Sequence, residues 1–468
     1  MRSTTLFMRT LMLAGVLSVA ATSAYSACAD DIAPQPEKGS WKSPKARAVA
    51  PADSATGEGA TAEVLTPQAQ LQLIAREAAK RSALVGAAKL LADAASYDIE
   101  ETRGAALPQI GVNGTLGPAY SRYAGETLKK GTQITGTLNV SGLIYDGGRL
   151  NALTQYRREM AGAAQYGLQA TREQVVLEAV STALERNRYR TQAKVYQQYA
   201  RKMSCLVEAL EQIVDVDRGR ASELVQARKT QAQAELARDN ALTTSRQVEI
   251  RLRKLVGDQA NIGEGIAGPL TQTMEAGEII RLLEQSNEMQ QMRLQAEGAM
   301  RYAESVEAGQ KPQVSWVANS TGGVQGDTKS LAVQGGLSVS YNLFNGGSDK
   351  AASAAAARRA EAARRQYEET LNTKTSRAFE VQELASGAFD RARRYVEVLK
   401  DSERVRNSTF QQWSQLGKRS LFDVMSAEGD HFNLRVAYVN ALHDGYQANA
   451  QLRSMGGGLM RWLGVEER

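Results

Sequence analysis

Two stretches of the chain alternate apolar and polar residues with a period of two. In residues 132–141 the even positions carry Thr132, Ile134, Gly136, Leu138 and Val140, and the odd ones Gln133, Thr135, Thr137, Asn139 and Ser141. In residues 331–341 the odd positions carry Leu331, Val333, Gly335, Leu337, Val339 and Tyr341, with Gln334, Ser338 and Ser340 between them. This predicts strands with one apolar and one polar face. Shorter signals precede each: Ile110, Val112 and Leu116 around Asn113 and Thr115, then Val314, Trp316 and Ala318 around Gln313, Ser315 and Asn319. Gly- and Ser-rich stretches, 117–131 and 320–330, join each pair. The pattern predicts two β-hairpins, 108–146 and 312–345.

Between and beyond the hairpins the period is helical. Residues 148–215 and 347–415 hold no proline and no strand pattern. At 1.5 Å per residue each would reach roughly 100 Å as a helix. Shorter helices are predicted at 67–105, 220–256, 272–309 and 420–455. Ala227, Ala234, Ala241, Val248 and Leu255 recur every seven residues, with Leu224 and Leu252 three before; Met425, Phe432, Val439 and Tyr446 do the same. Val195, Tyr199, Met203, Leu206, Leu210 and Ile213 give a 3–4 stripe on the first long helix. Heptad spacing predicts helices wound around one another.

The elements come twice. Leu107-Pro108-Gln109-Ile110 matches Lys311-Pro312-Gln313-Val314; Tyr145-Asp146-Gly147-Gly148 matches Phe344-Asn345-Gly346-Gly347; the segment from Arg218 to Leu224 matches that from Leu416 to Phe422. The offsets stay near 200 residues, so the chain is a tandem repeat. Repeat 1 spans 67–257 and repeat 2 spans 272–455, with a linker at 258–271 and a tail at 456–468. The fold class is α+β, mainly long α-helices, with one β-hairpin per repeat.

Composition changes the picture at the N-terminus. Arg2 and Arg9, an apolar run from Leu11 to Ala21 and small residues thereafter read as a secretory signal over 1–29. Cys28 permits a second reading as a lipid-anchored cysteine, although Tyr25 stands where a branched aliphatic is expected. Residues 30–66, rich in Ala, Pro, Gly, Ser and Lys without a period, read as a flexible extension. The net charge of +6 is spread along the chain and gives no nucleic-acid footprint. Two histidines and two cysteines argue against a transition-metal centre.

Four strands cannot close a barrel, and an open sheet edge cannot face lipid. If the apolar face meets lipid, several chains must share one barrel, and three copies give twelve strands. The other reading of the same pattern is a soluble hairpin on a periplasmic coiled-coil scaffold or adaptor.

The duplicated order, the Asp146-Gly147-Gly148 and Asn345-Gly346-Gly347 strand exits, and the Gly219 and Gly417 helix turns resemble the TolC-like outer-membrane channel family over about residues 67–455. The resemblance implies a homotrimer with a 12-stranded β-barrel in outer-membrane lipid, continued by an α-helical coiled-coil barrel in the periplasm. It implies a periplasmic adaptor (membrane fusion protein) and an inner-membrane ABC exporter or other pump as partners, no cofactor and no enzyme activity. Asp215 to Arg228 looks most like the type I secretion branch, which exports adhesin-type proteins; small-molecule efflux is the alternative. In such channels the helix turns form the periplasmic tip, where charged side chains constrict the pore. Arg419 and Asp423 occupy matching positions, with Lys418 and Glu223 beside the turns. Two positions depart from the pattern: Ser426 replaces the second carboxylate after Asp423, and Val225 replaces the first-repeat gate acid. Gly219 and Gly417 are expected to take a left-handed conformation where the helices reverse.

Other motifs carry no chemistry. Gly263-Glu264-Gly265-Ile266-Ala267-Gly268 fits G-x-G-x-x-G but lacks the preceding strand and is followed by Pro269. His431 and His443 lie twelve apart, which is not a ligand spacing on a helix. Arg358, Arg359, Arg364 and Arg365, interrupted by Glu361 and alanines, read as a solvated helix face.

Overall fold

The computed structural model describes residues 66–121, 129–258, 270–456 and 458–465. The signal sequence, nearly all of the 30–66 extension, the G-x-G-x-x-G stretch and the tip of the first hairpin lie outside the described residues.

Strands β1 (Gln109–Ser121), β2 (Lys129–Tyr145), β3 (Gln313–Gln325) and β4 (Thr328–Ser340) form one antiparallel sheet in the order β1-β2-β3-β4. The two hairpins are thus joined through β2 and β3, whose register sets Thr137 opposite Thr321. Their hydroxyls lie 3.2 Å apart on the polar face. The alternation predicted above decides which face is which. Odd positions of β2 from Gly131 to Leu143 are half-buried, whereas Ile134 and Leu138 point outward. Val112 and Leu331 are each 76% exposed, so the sheet is inside-out, with its apolar side bare. The strands reach further than expected. Much of 117–131 and 320–330 is paired strand, and the second hairpin closes in a two-residue turn at Gly326-Asp327, where Gly326 takes φ 60°.

Helices follow in the order α1 (Pro67–Arg81), α2 (Ala83–Gly104), α3 (Arg149–Val216), α4 (Ala221–Val256), α5 (Ala276–Glu284), α6 (Asn287–Ala308), α7 (Ser348–Ser414), α8 (Leu421–Met455) and α9 (Leu459–Leu463). The helices expected as single spans at 67–105 and 272–309 are each broken in two. Ser82 accepts a hydrogen bond from Val85 N and starts α2; Ser286 accepts one from Met289 N and starts α6. An N-cap serine has extended backbone angles, so each interrupts the helix it begins. The tail at 456–468 also holds structure, because α9 buries Leu459 and Leu463 in the core.

The long helices α3 and α7 have 68 and 67 residues, about 100 Å each at helical rise. Each pairs with its successor, α3 with α4 and α7 with α8. The heptad stripes are what they bury: Ala227, Ala234, Ala241 and Val248 on α4, and Met425, Phe432, Val439 and Tyr446 on α8. Alanine at the seam lets α4 approach α3 closely. The two repeats meet where α3 packs on α6 and on α8, and the α3–α8 join mixes apolar contacts, such as Val195 against Phe432 and Val439, with polar ones. Arg188 donates to Asn440 and Asp444 at 2.9 Å each, and Asn187 lies 3.4 Å from His443.

Candidate functional site

Two places carry the residues singled out from the sequence: the strand exits and the helix tips. At the first strand exit, Gly147 and Gly148 take φ 70° and 91°. Asp146 Oδ1 accepts from Gly148 N at 3.0 Å and Oδ2 from Leu150 N at 2.6 Å, so its carboxylate satisfies N–H groups at the start of α3. The second exit repeats the geometry more loosely. Gly346 and Gly347 take φ 69° and 86°, and Asn345 Oδ1 accepts from Asp349 N at 3.4 Å. Paired left-handed glycines turn the chain from sheet into helix without a Cβ clash.

At the tips the two repeats differ. In repeat 2, α7 ends at Ser414, Gly417 takes φ 62°, and Lys418 N donates to Gln412 O at 3.1 Å. This is the left-handed reversal expected there. In repeat 1, Gly219 sits inside a 3-10 turn, Arg218–Arg220, and is absent from the positive-φ glycines. The expectation of a left-handed Gly219 is therefore corrected. Asp217 makes the turn instead, its Oδ1 accepting from Gly219 N at 3.0 Å, an Asx-type substitute for the reversal.

Within one chain, Arg419, Asp423, Lys418 and Glu223 do not pair with one another among the described residues. Arg419 donates to Gln412 Oε1 at 3.2 Å rather than to Asp423. Asp423 caps its own helix with Ser420. Hydrogen bonds from the Ser420 N–H and then its hydroxyl hold the Asp423 carboxyl below the ordinary range, with Arg419 a minor contributor. Lys418 is exposed. Glu223, in the first turn of α4, is half-buried, and its Oε2 is buried without a hydrogen-bond partner among the described residues. Beneath the charges an apolar knot of Met203, Leu206, Leu210, Leu224, Leu421 and Met425 ties both hairpins together. Above them, Val216, Val225, Leu416 and Phe422 are exposed. The sequence reading passed over the cap, although Ser420-x-x-Asp423 has the spacing of one. It also passed over Asp217.

Among the described residues no helix is long and apolar enough to cross a membrane, and no cluster of His, Cys, Asp and Glu could hold a metal ion. The sheet has an apolar exterior, with Val112, Ile134, Leu331 and Val333 all exposed. Comparison with known proteins agrees: residues 74–258 and 279–458 match the outer membrane efflux protein family. The chain belongs to that family. The two matched spans are the two repeats, and the family places the chain in the outer membrane as an efflux channel component. Solved structures give the same fold. VceC of Vibrio cholerae superposes with a TM-score of 0.75 at 20% identity, covering 84% of this chain and 97% of VceC. The CmeC outer membrane channel of Campylobacter jejuni gives 0.73 at 15% identity, covering 89% and 94%. The open state of the Neisseria gonorrhoeae MtrE channel gives 0.69 at 14%, covering 83% and 89%. No match was found among curated protein sequences.

Proposed function

We propose that the protein is the trimeric outer-membrane duct of a tripartite export system. The inside-out sheet carries this reading. Its apolar face is bare, its edge strands β1 and β4 have no partner among the described residues, and four strands leave those edges open. In lipid each unpaired backbone group costs several kcal/mol. Two more copies close twelve strands and pair every edge. The α3–α4 and α7–α8 hairpins then continue the barrel as a tube of about 100 Å, long enough to hand cargo from a periplasmic adaptor to the outer surface. The exposed Val216, Val225, Leu416 and Phe422 at the tips, flanked by Arg218, Arg220, Lys418 and Arg419, form the face that an adaptor would cover. An inner-membrane ABC exporter or other pump would supply the energy.

For cargo we favour type I protein secretion, on the character of Asp215 to Arg228; small-molecule efflux is the alternative. Deleting the protein and measuring both phenotypes separates them. Loss of one large secreted protein with unchanged drug susceptibility supports secretion, and the reverse supports efflux. The duct itself is tested by fractionation and gel migration. An outer-membrane trimer that unfolds only on heating and conducts in planar bilayers is expected. A monomer stable in plain buffer would overturn the reading and favour a periplasmic scaffold.

A further inference from the structure

Below the tip, α8 buries two titratable side chains one turn apart. Glu428 is 2% exposed and His431 7% exposed. Both face the join of three helices. From α7, Arg406 Nη1 lies 3.9 Å from Glu428 Oε2, an atom that accepts no hydrogen bond, and Ser402 Oγ lies 3.3 Å from His431 Nδ1. Glu403 stands beside Arg406 on the same helix at 3.8 Å. From α3, Tyr199 stacks on Phe432 with ring centroids 4.8 Å apart, and Lys202 supplies a cation near Glu428. On α8 itself, Arg435 lies over the Phe432 ring, and the Asp430 charge acts on Tyr199.

Burial gives the two groups opposite proton preferences. A buried carboxyl is uncharged with its proton, and a buried imidazole is uncharged without it. The packed join therefore favours protonated Glu428 and deprotonated His431. The surroundings modify this unequally. Burial pushes the Glu428 carboxyl up, while Arg406 and Lys202 pull it partly back. Burial pushes His431 down to about 4, and Arg406 and Arg435 push the same way.

We propose that Glu428 and His431 are counterposed proton sensors, whose opposite responses to acid offset each other at the join of α3, α7 and α8. Parting the join would hydrate both groups and return them to ordinary behaviour. Glu428 then strengthens packing in acid and loses that contribution as pH rises through its packed-state value. His431 strengthens packing above the ordinary histidine range and loses it as pH falls toward about 4. Because this cluster lies directly beneath the tip knot, the balance sets how firmly the tip hairpins are held. That consequence for a pore rests on the export-duct reading; the pairing of the sensors does not.

The test is amide hydrogen exchange over residues 424–432 in the detergent-solubilised full chain at pH 7.5 and pH 5.0, each corrected for the intrinsic chemical rate. Glu428→Gln leaves His431 alone, so corrected exchange should rise on acidification by about tenfold. His431→Gln leaves Glu428 alone, so exchange should fall on acidification. The wild type should lie between them, and the double variant should show the weakest dependence. Single variants that shift in the same direction, or show no pH dependence, overturn the proposal. If an amide variant does not fold, Glu428→Met and His431→Phe remove the same protons within an apolar environment, and the same signs are required. Planar-bilayer currents on the same proteins separate the two readings. Absence of pores counts against the duct while exchange still decides the sensors. Pores without the opposed exchange pattern sink the sensors alone.

Discussion

Ser420 and Asp423 cap each other at the start of α8. Ser420 N donates to Asp423 Oδ2 at 3.0 Å, and Asp423 N donates to Ser420 Oγ at 3.3 Å. The Ser420 hydroxyl also donates to Asp423 Oδ2 at 3.0 Å. The carboxylate at the tip is therefore committed to its own helix as well as to the space in front of it.

This separates two effects of altering Asp423. Ser420→Ala removes the cap without touching the charge and should cost about 1 kcal/mol of stability, read as a lowered melting temperature in detergent. Asp423→Asn removes the charge while keeping a side-chain acceptor, so any change in cation preference of the pore should appear there with a smaller loss of stability. Asp423→Ala should show both. A conductance change in Asp423→Ala that Ser420→Ala reproduces, and Asp423→Asn does not, would assign the whole effect to the cap. The pH dependence follows from the sign. Hydrogen bonds depress this carboxyl, so its contribution is complete above the ordinary aspartate range and is lost only as pH falls below about 4.

The two tip glycines should respond unequally to alanine. Gly417 takes φ 62°, a region that costs an L-residue about 1–2 kcal/mol. Nothing crowds a Cβ there, so Gly417→Ala should lower stability by about that amount through backbone strain alone. Gly219 pays no such penalty. A Cβ at Gly219 would sit 3.1 Å from Asp217 Oδ1, a close but adjustable contact. Gly219→Ala should melt within about 0.5 kcal/mol of the wild type. Equal losses at both sites would contradict the different turns.

That asymmetry shows where sequence reading reached its limit. The strands were legible because alternation is local: Ile134 and Val333 declare their face by their neighbours two positions away. The heptad stripe was legible for the same reason, and Ala227 and Met425 are buried where it placed them. Gly219 and Gly417 occupy equivalent places in the repeat, yet Asp217 closes one turn by a side-chain bond that repeat matching overlooks. Ser82 and Ser286 were hidden inside continuous helical pattern, since one capping serine changes no periodicity. The partnership of Arg188 with Asn440, like that of Thr137 with Thr321, depends on how two repeats dock, and nothing local to either residue announces it.

Gly147 and Gly346 pose a sharper comparison, because both take the left-handed conformation in the same motif. A Cβ at Gly147 would lie 2.6 Å from Lys311 Cβ and 3.0 Å from Ala308 O, whereas at Gly346 it meets open space. Gly346→Ala should cost about 1–2 kcal/mol from its backbone angle. Gly147→Ala should cost more, because it must also displace the chain entering β3. Thermal melting of the two variants checks the order, and a smaller loss at Gly147 would mean that the strand exit relaxes freely.

Neighbouring residues of β4 distinguish a lipid-facing sheet from a soluble one. Val333 lies on the apolar face near mid-strand, 75% exposed, and Gln334 points to the opposite face. In a water-soluble hairpin Val333→Lys would be harmless, since an exposed valine loses nothing on meeting solvent as a lysine. In a bilayer the same change places a cation near the midplane, at about 2–4 kcal/mol for each copy, three times over in a trimer. Gln334→Lys faces the polar interior and should leave insertion intact while altering ion preference. Val333→Lys should therefore reduce the heat-modifiable species in outer-membrane fractions severalfold, with Gln334→Lys near the wild-type level. If both variants assemble equally well, Val333 does not face lipid, and the barrel built from this sheet must be abandoned.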